Sequence, residues 1–109
     1  MAQIDCDLDD TACHCVLSDV MGLLGKKYVM DIVCVVAAHG RVRFGTLADH
    51  LPSASTSTLS ARLDELEAAG FVRREQYDEI PPRVEYELTE RGEELDERLQ
   101  PLVEWAMEQ

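Results

Sequence analysis

The apolar residues of this chain change their repeat twice between Leu59 and Trp105, and few folds accommodate that alternation. Leu59, Leu63 and Leu66 recur at helical spacing and stop at Gly70. Phe71, Val72 and Tyr77, then Val84, Tyr86 and Leu88, read as two strands around Asp78-Glu79-Ile80-Pro81-Pro82. Two prolines cannot donate to a ladder, so that linking piece is a turn or an exposed hairpin tip. Helical spacing returns after Thr89, which opens a last helix with Leu95, Leu99, Leu102 and Ala106 along one side and Trp105 nearby.

Upstream, the pattern is helical throughout. Val16, Val20, Met21, Leu23 and Leu24 share one broad face of a short helix ending at Gly25. The valine-rich run Tyr28 to Ala38 has the length of a helix rather than a strand, and Gly40 supplies its stop. Phe44, Leu47, Ala48 and Leu51 repeat at helical spacing up to Pro52, and Ser53 to Ser57 is a hydroxyl cluster suited to capping the next helix. The predicted order is four helices, a hairpin and a last helix. That is a mainly α chain with a small β-hairpin wing, a winged helix-turn-helix. At 109 residues there is room for one domain, taken as residues 15–109 behind an acidic, cysteine-containing segment 1–14 whose first ten residues are expected to be loosely held. The longest apolar run is broken by Asp31 and falls far short of a membrane span. The opening ten residues carry four aspartates and no lysine or arginine, unlike a secretory signal, so the expected location is the cytoplasm.

Charge divides the chain. The 22 acidic residues outnumber 10 basic ones, for a net charge of −12, and only Lys26 and Lys27 are lysines. Such acidity is the surface chemistry expected of a halophile, a haloarchaeon being the expected source. The acids, however, are cleared from the middle: residues 20–63 hold only Asp31 and Asp49 against Lys26, Lys27, Arg41, Arg43 and Arg62. Solvated helix faces are usually mixed in sign, so this clearing points to an anionic partner.

The helix starting near Ser55 has the character of a DNA-reading element. Its first turn carries Ser55, Thr56, Ser57 and Thr58, small donors and acceptors able to approach bases and phosphates, while its buried stripe begins only at Leu59. Ser60 and Arg62 lie on faces that the stripe leaves open. Lys26 and Arg43 from the basic middle, and Arg83 beside the hairpin tip, complete the candidate DNA contacts.

Several stretches together resemble one family, the HxlR-type transcriptional regulators. They are Leu23-Leu24-Gly25-Lys26-Lys27-Tyr28, Arg43-Phe44 followed by Leu47, Leu59-Ser60-Ala61-Arg62-Leu63-Asp64-Glu65-Leu66-Glu67, Gly70-Phe71-Val72, and the long run Pro81 to Thr89. Tyr28 stands where that family usually has tryptophan. The resemblance implies a homodimer on a palindromic double-stranded DNA operator, with its first and last helices building the subunit contact. Here that contact would fall on Val20, Met21, Leu24, Leu95, Leu99, Leu102 and Trp105.

Four cysteines remain. Cys34 lies within the apolar helix and reads as a small core residue. Cys6, Cys13 and Cys15 crowd near the N-terminus with His14 among them. Some HxlR-type members sense oxidants through an N-terminal thiol, a role that falls best on Cys15 or Cys13. The alternative is a metal-responsive regulator ligated by Cys6, Cys13, Cys15 and His14. A winged-helix module for protein–protein contact is a further alternative. An enzyme is not expected, because no acid–base pair, phosphate loop or metal-bound water motif is present and His14, His39 and His50 have no evident partners. No cofactor is expected either.

Overall fold

The computed structural model describes residues 11–108, with side chains described from residue 18 onward. The acidic residues 1–10, Cys6 among them, lie outside the described residues, as do the side chains of Cys13, His14 and Cys15. Five helices and a three-stranded sheet follow in the order α1 (Thr11–Leu24), α2 (Val29–His39), β1 (Arg41–Arg43), α3 (Phe44–His50), α4 (Thr56–Ala68), β2 (Val72–Tyr77), β3 (Arg83–Leu88) and α5 (Glu90–Met107). The chain is a winged helix-turn-helix.

α2 is the centre of the core. Val29, Ile32, Val33 and Val36 are completely buried on it, as are Leu47 of α3 and Leu59 and Leu66 of α4. Burying side chains of this size is worth about 1.5–3 kcal/mol each relative to exposure. Gly40 and Gly70 follow α2 and α4 with φ of 77° and 85°, left-handed values that a side chain would strain.

Two features differ from the sequence reading. α1 begins at Thr11, several residues before the first apolar face at Val16. The expected two-stranded hairpin has a third strand. β1 pairs antiparallel with β3, giving the order β1-β3-β2. Its register explains why three residues suffice: Arg41 faces Glu87 and Arg43 faces Glu85 on one side, while buried Val42 faces buried Tyr86 on the other.

The start of α5 is seated on the end of the α4–β2 connection. Thr89 caps α5 by accepting from the Gly92 N–H at 3.1 Å, and its own hydroxyl donates to the Gly70 carbonyl at 2.5 Å. Thr89→Ala should therefore cost about 1–2 kcal/mol in urea unfolding, whereas Thr89→Ser, which keeps the hydroxyl, should cost a fraction of that. An equal loss in both would locate the effect in the methyl group.

Candidate nucleic-acid interface

α4 presents its leading turn to solvent because its apolar stripe starts late. Ser55 is the N-cap, with extended φ and ψ, and its Oγ accepts from the Thr58 N–H at 3.1 Å. The Ser55 hydroxyl also donates to Thr58 Oγ1 at 2.9 Å, which draws the half-buried Thr58 inward. Ser55, Thr56 and Ser57 remain exposed, and Ser60 is exposed one turn further on. No acidic residue occupies the first turn, so nothing there repels a phosphate.

The basic candidates differ in what they meet. Arg43, at the end of β1, is exposed and stands 4.0 Å from Glu85. Lys27, part of the basic middle but not of the candidate contact set, is also exposed, with its ammonium 5.2 Å from the centre of the Tyr28 ring. Arg62 does not lie open as its helix position suggested. Its Nε donates to the Lys27 carbonyl at 3.2 Å, its Nη1 lies 3.0 Å from Glu65, and its side chain is 24% exposed. Lys26 likewise turns to Glu65, at 2.5 Å. Hydrogen bonds from Lys26 and then Arg62 hold the Glu65 carboxyl below the usual carboxylate range. Both cations are thus paired within the chain.

The wing is internally paired in the same manner. Arg83 lies over the Tyr77 ring, 4.2 Å from its centre, and makes ion pairs with Glu79 at 3.1 Å and Glu85 at 3.5 Å. Along the outer sheet face, Glu87 is bracketed by Arg73 and Arg41. The Arg73 hydrogen bond, with Arg41 beside it, holds the Glu87 carboxyl below its ordinary range. Ile80 at the tip is fully exposed.

The expected subunit contact also separates. Leu24 and Leu99 are 8% and 5% exposed and pack within the chain's own core. Val20 and Leu95 pack partly against that core. Met21, Leu102 and Trp105 remain outward.

Cys34 is the free cysteine among the residues whose side chains are described, half-buried on α2. Burial, and then the charges of Asp96 and Asp31, push its thiol pKa up, which favours the protonated thiol over the thiolate. His39, the last residue of α2, donates from Nδ1 to the Val35 carbonyl (2.9 Å) and meets the His50 ring edge-on, with centres 4.9 Å apart. The two histidines are therefore each other's neighbours rather than isolated. Among the described residues no group of three His, Cys, Asp or Glu side chains could hold a metal ion, and no helix is long and apolar enough to cross a membrane.

Comparison with known proteins agrees with this geometry. Residues 23–109 match the HxlR-like helix-turn-helix family. An HTH-type transcriptional regulator of Halalkalibacterium halodurans is 38% identical over 87 residues, covering 80% of this chain and 77% of that protein. The redox regulator HypR in its oxidized form superposes with a TM-score of 0.79 at 33% identity, covering 87% of this chain and 97% of HypR. The reduced transcriptional regulator YodB from B. subtilis superposes at 0.73 with 35% identity, covering 82% of this chain and 86% of YodB. These relatives are regulators and not enzymes. An outward hydroxyl-rich helix, a paired wing and a match over most of the sequence lead to one assignment: the chain belongs to the HxlR-like helix-turn-helix family of DNA-binding transcriptional regulators.

Proposed function

We propose that the protein works in the cytoplasm as a homodimer on a palindromic operator, with α4 of each subunit in a major groove and half-sites about one helical turn apart. The observation that carries this reading is the exposed, acid-free turn Ser55-Thr56-Ser57, backed by Ser60. Arg43 and the wing's Arg83 supply phosphate contacts, Arg83 by exchanging Glu79 for DNA. Lys26 and Arg62 act from behind the helix rather than in the groove.

We further propose that the signal is thiol oxidation at Cys15, with Cys13 the other candidate. Similarity to HypR, a redox regulator solved in oxidized and reduced forms, and to YodB, solved reduced and diamide-treated, supports it. Two thiols from different subunits would lose two protons and two electrons to diamide, which is reduced to the hydrazine, and a disulfide would form between the subunits.

The acidic surface suits a salt-rich cell and sets the ionic response. A dimer of chains at −12 each repels DNA at long range, and at molar salt the Debye length of about 3 Å leaves only the local surface to act. A gel shift with duplexes selected from a random library, run across salt levels with and without diamide, tests all of this. The salt slope should be much shallower than the value of about −5 given by six phosphate contacts. Thr56→Ala should lose about tenfold in operator affinity, the worth of one base contact. Cys15→Ser should bind like wild type and ignore diamide. Failure to prefer any selected duplex over random DNA would overturn the proposal, and unchanged binding by Thr56→Ala would remove α4 from it.

A further inference from the structure

The turn between α1 and α2 is fastened to the DNA-reading helix at two points. At the first, Glu65 accepts from Lys26 at 2.5 Å and from Arg62 at 3.0 Å, while Arg62 Nε donates to the Lys27 carbonyl at 3.2 Å. One carboxylate thereby joins two elements 39 residues apart. At the second, the Tyr28 hydroxyl meets Ser53 Oγ at 3.1 Å, just ahead of the α4 N-cap. Tyr28 is held at φ 76°, a left-handed value that costs a non-glycine residue about 1–2 kcal/mol, so the surrounding contacts fix this turn.

Glu65 sits about 15 Å along the axis from Ser55, at a helical rise of 1.5 Å per residue. It is too far back to touch the base edges that the leading turn reaches. A tilt of about 10° about this point would still move the leading turn by about 2.5 Å, nearly a whole hydrogen-bond length. An acidic side chain that neutralises two nearby cations also lowers affinity for any polyanion. Its contribution to generic DNA binding is therefore unfavourable, and its value must lie elsewhere. Resting on the reading of α4 as the groove helix, we infer that Glu65 is a positioning residue for operator recognition: through Lys26 and Arg62 it sets the angle at which α4 enters the groove.

The inference separates generic from specific binding. In full-length Glu65→Gln, affinity for random duplex should rise about threefold or more as a negative charge leaves and two cations are released. The ratio of operator to random affinity, measured on a duplex selected with wild type, should fall about tenfold. Lys26→Met cuts the same tether from the other end while removing a positive charge. Its affinity for random duplex should therefore fall, yet its ratio should fall as for Glu65→Gln. Thermal melts should stay close to wild type, because the tether is an exposed pair.

A merely electrostatic role would shift operator and random affinity together and leave both ratios unchanged, which would overturn the inference. A lower ratio in Glu65→Gln alone would assign the effect to helix charge and overturn the tether too. Should Glu65→Gln fail to fold, Lys26→Met carries the test, and an unchanged ratio there refutes it. Wild type without operator preference would overturn the reading of α4 along with this inference. Preference in wild type with unchanged ratios in the variants would overturn the inference only.

Discussion

Gly92→Ala is expected to destabilise the protein by about 3 kcal/mol, the upper part of the usual overpacking range, lowering Tm by about 15 °C. Gly92 lies in the first turn of α5 and is buried. A Cβ there would stand 2.0 Å from the Phe71 carbonyl oxygen, 3.0 Å from its carbonyl carbon and 3.2 Å from Leu88 Cβ. The obstructing atoms are backbone, so no rotamer change relieves them. That same carbonyl accepts from the Thr89 N–H at 3.1 Å, which pins it in place. The start of α5 would have to lift away, breaking the Thr89 cap and uncovering Phe71. Gly45→Ala is the matched control. It lies in α3 with nothing within 4 Å of its Cβ position, and alanine is worth up to about 1 kcal/mol over glycine inside a helix. Opposite signs for the two substitutions in differential scanning calorimetry are the expected result. A Gly92→Ala melt within a few degrees of wild type would show that α5 is not seated so closely.

Neither glycine announces its role in the sequence, and the contrast marks what kind of information a single chain displays. Local periodicity was legible: Leu59, Leu63 and Leu66 lie in the core, Thr89 caps α5, and Gly40 and Gly70 follow α2 and α4 at positive φ. Each of these depends on neighbours within a few positions. What stayed hidden depends on partners far along the chain. β1 is too short to show a period, and the pairing of Arg41 and Arg43 with Glu87 and Glu85 is readable only once β3 is placed beside it. The pairing of Lys26 with Glu65 spans 39 residues and so leaves no local trace; only the Arg62–Glu65 spacing within one helix hinted at the cluster. Leu24 and Leu99 show a related limit. Helical spacing tells which face is apolar, but not whether the subunit or a second copy covers it.

That last distinction fixes the most consequential test of assembly. After Leu24 and Leu99 are assigned to the core, the terminal helices still carry Met21, Leu102, Trp105 and Met107 at 56%, 51%, 58% and 80% exposure. The last two turns of α5, beyond Pro101, bury no residue. If these side chains face water, Leu102→Ala and Trp105→Ala should change nothing beyond about 0.5 kcal/mol. As anchors of the proposed dimer, each should raise the dissociation constant about 30-fold or more, since buried aromatic and aliphatic anchors typically carry 2 kcal/mol or above. Sedimentation equilibrium reads the constant directly. Trp105 is the single tryptophan of the chain, so wild-type fluorescence supplies an independent reading: emission should shift to the red as dilution exposes the indole. Electrostatics adds a second axis. Two chains at −12 each repel, and screening weakens that repulsion more than it weakens apolar contact, so association should tighten with added salt. Emission that is independent of concentration, with monomers at every salt level, would rule out the twofold assembly and with it the paired half-sites.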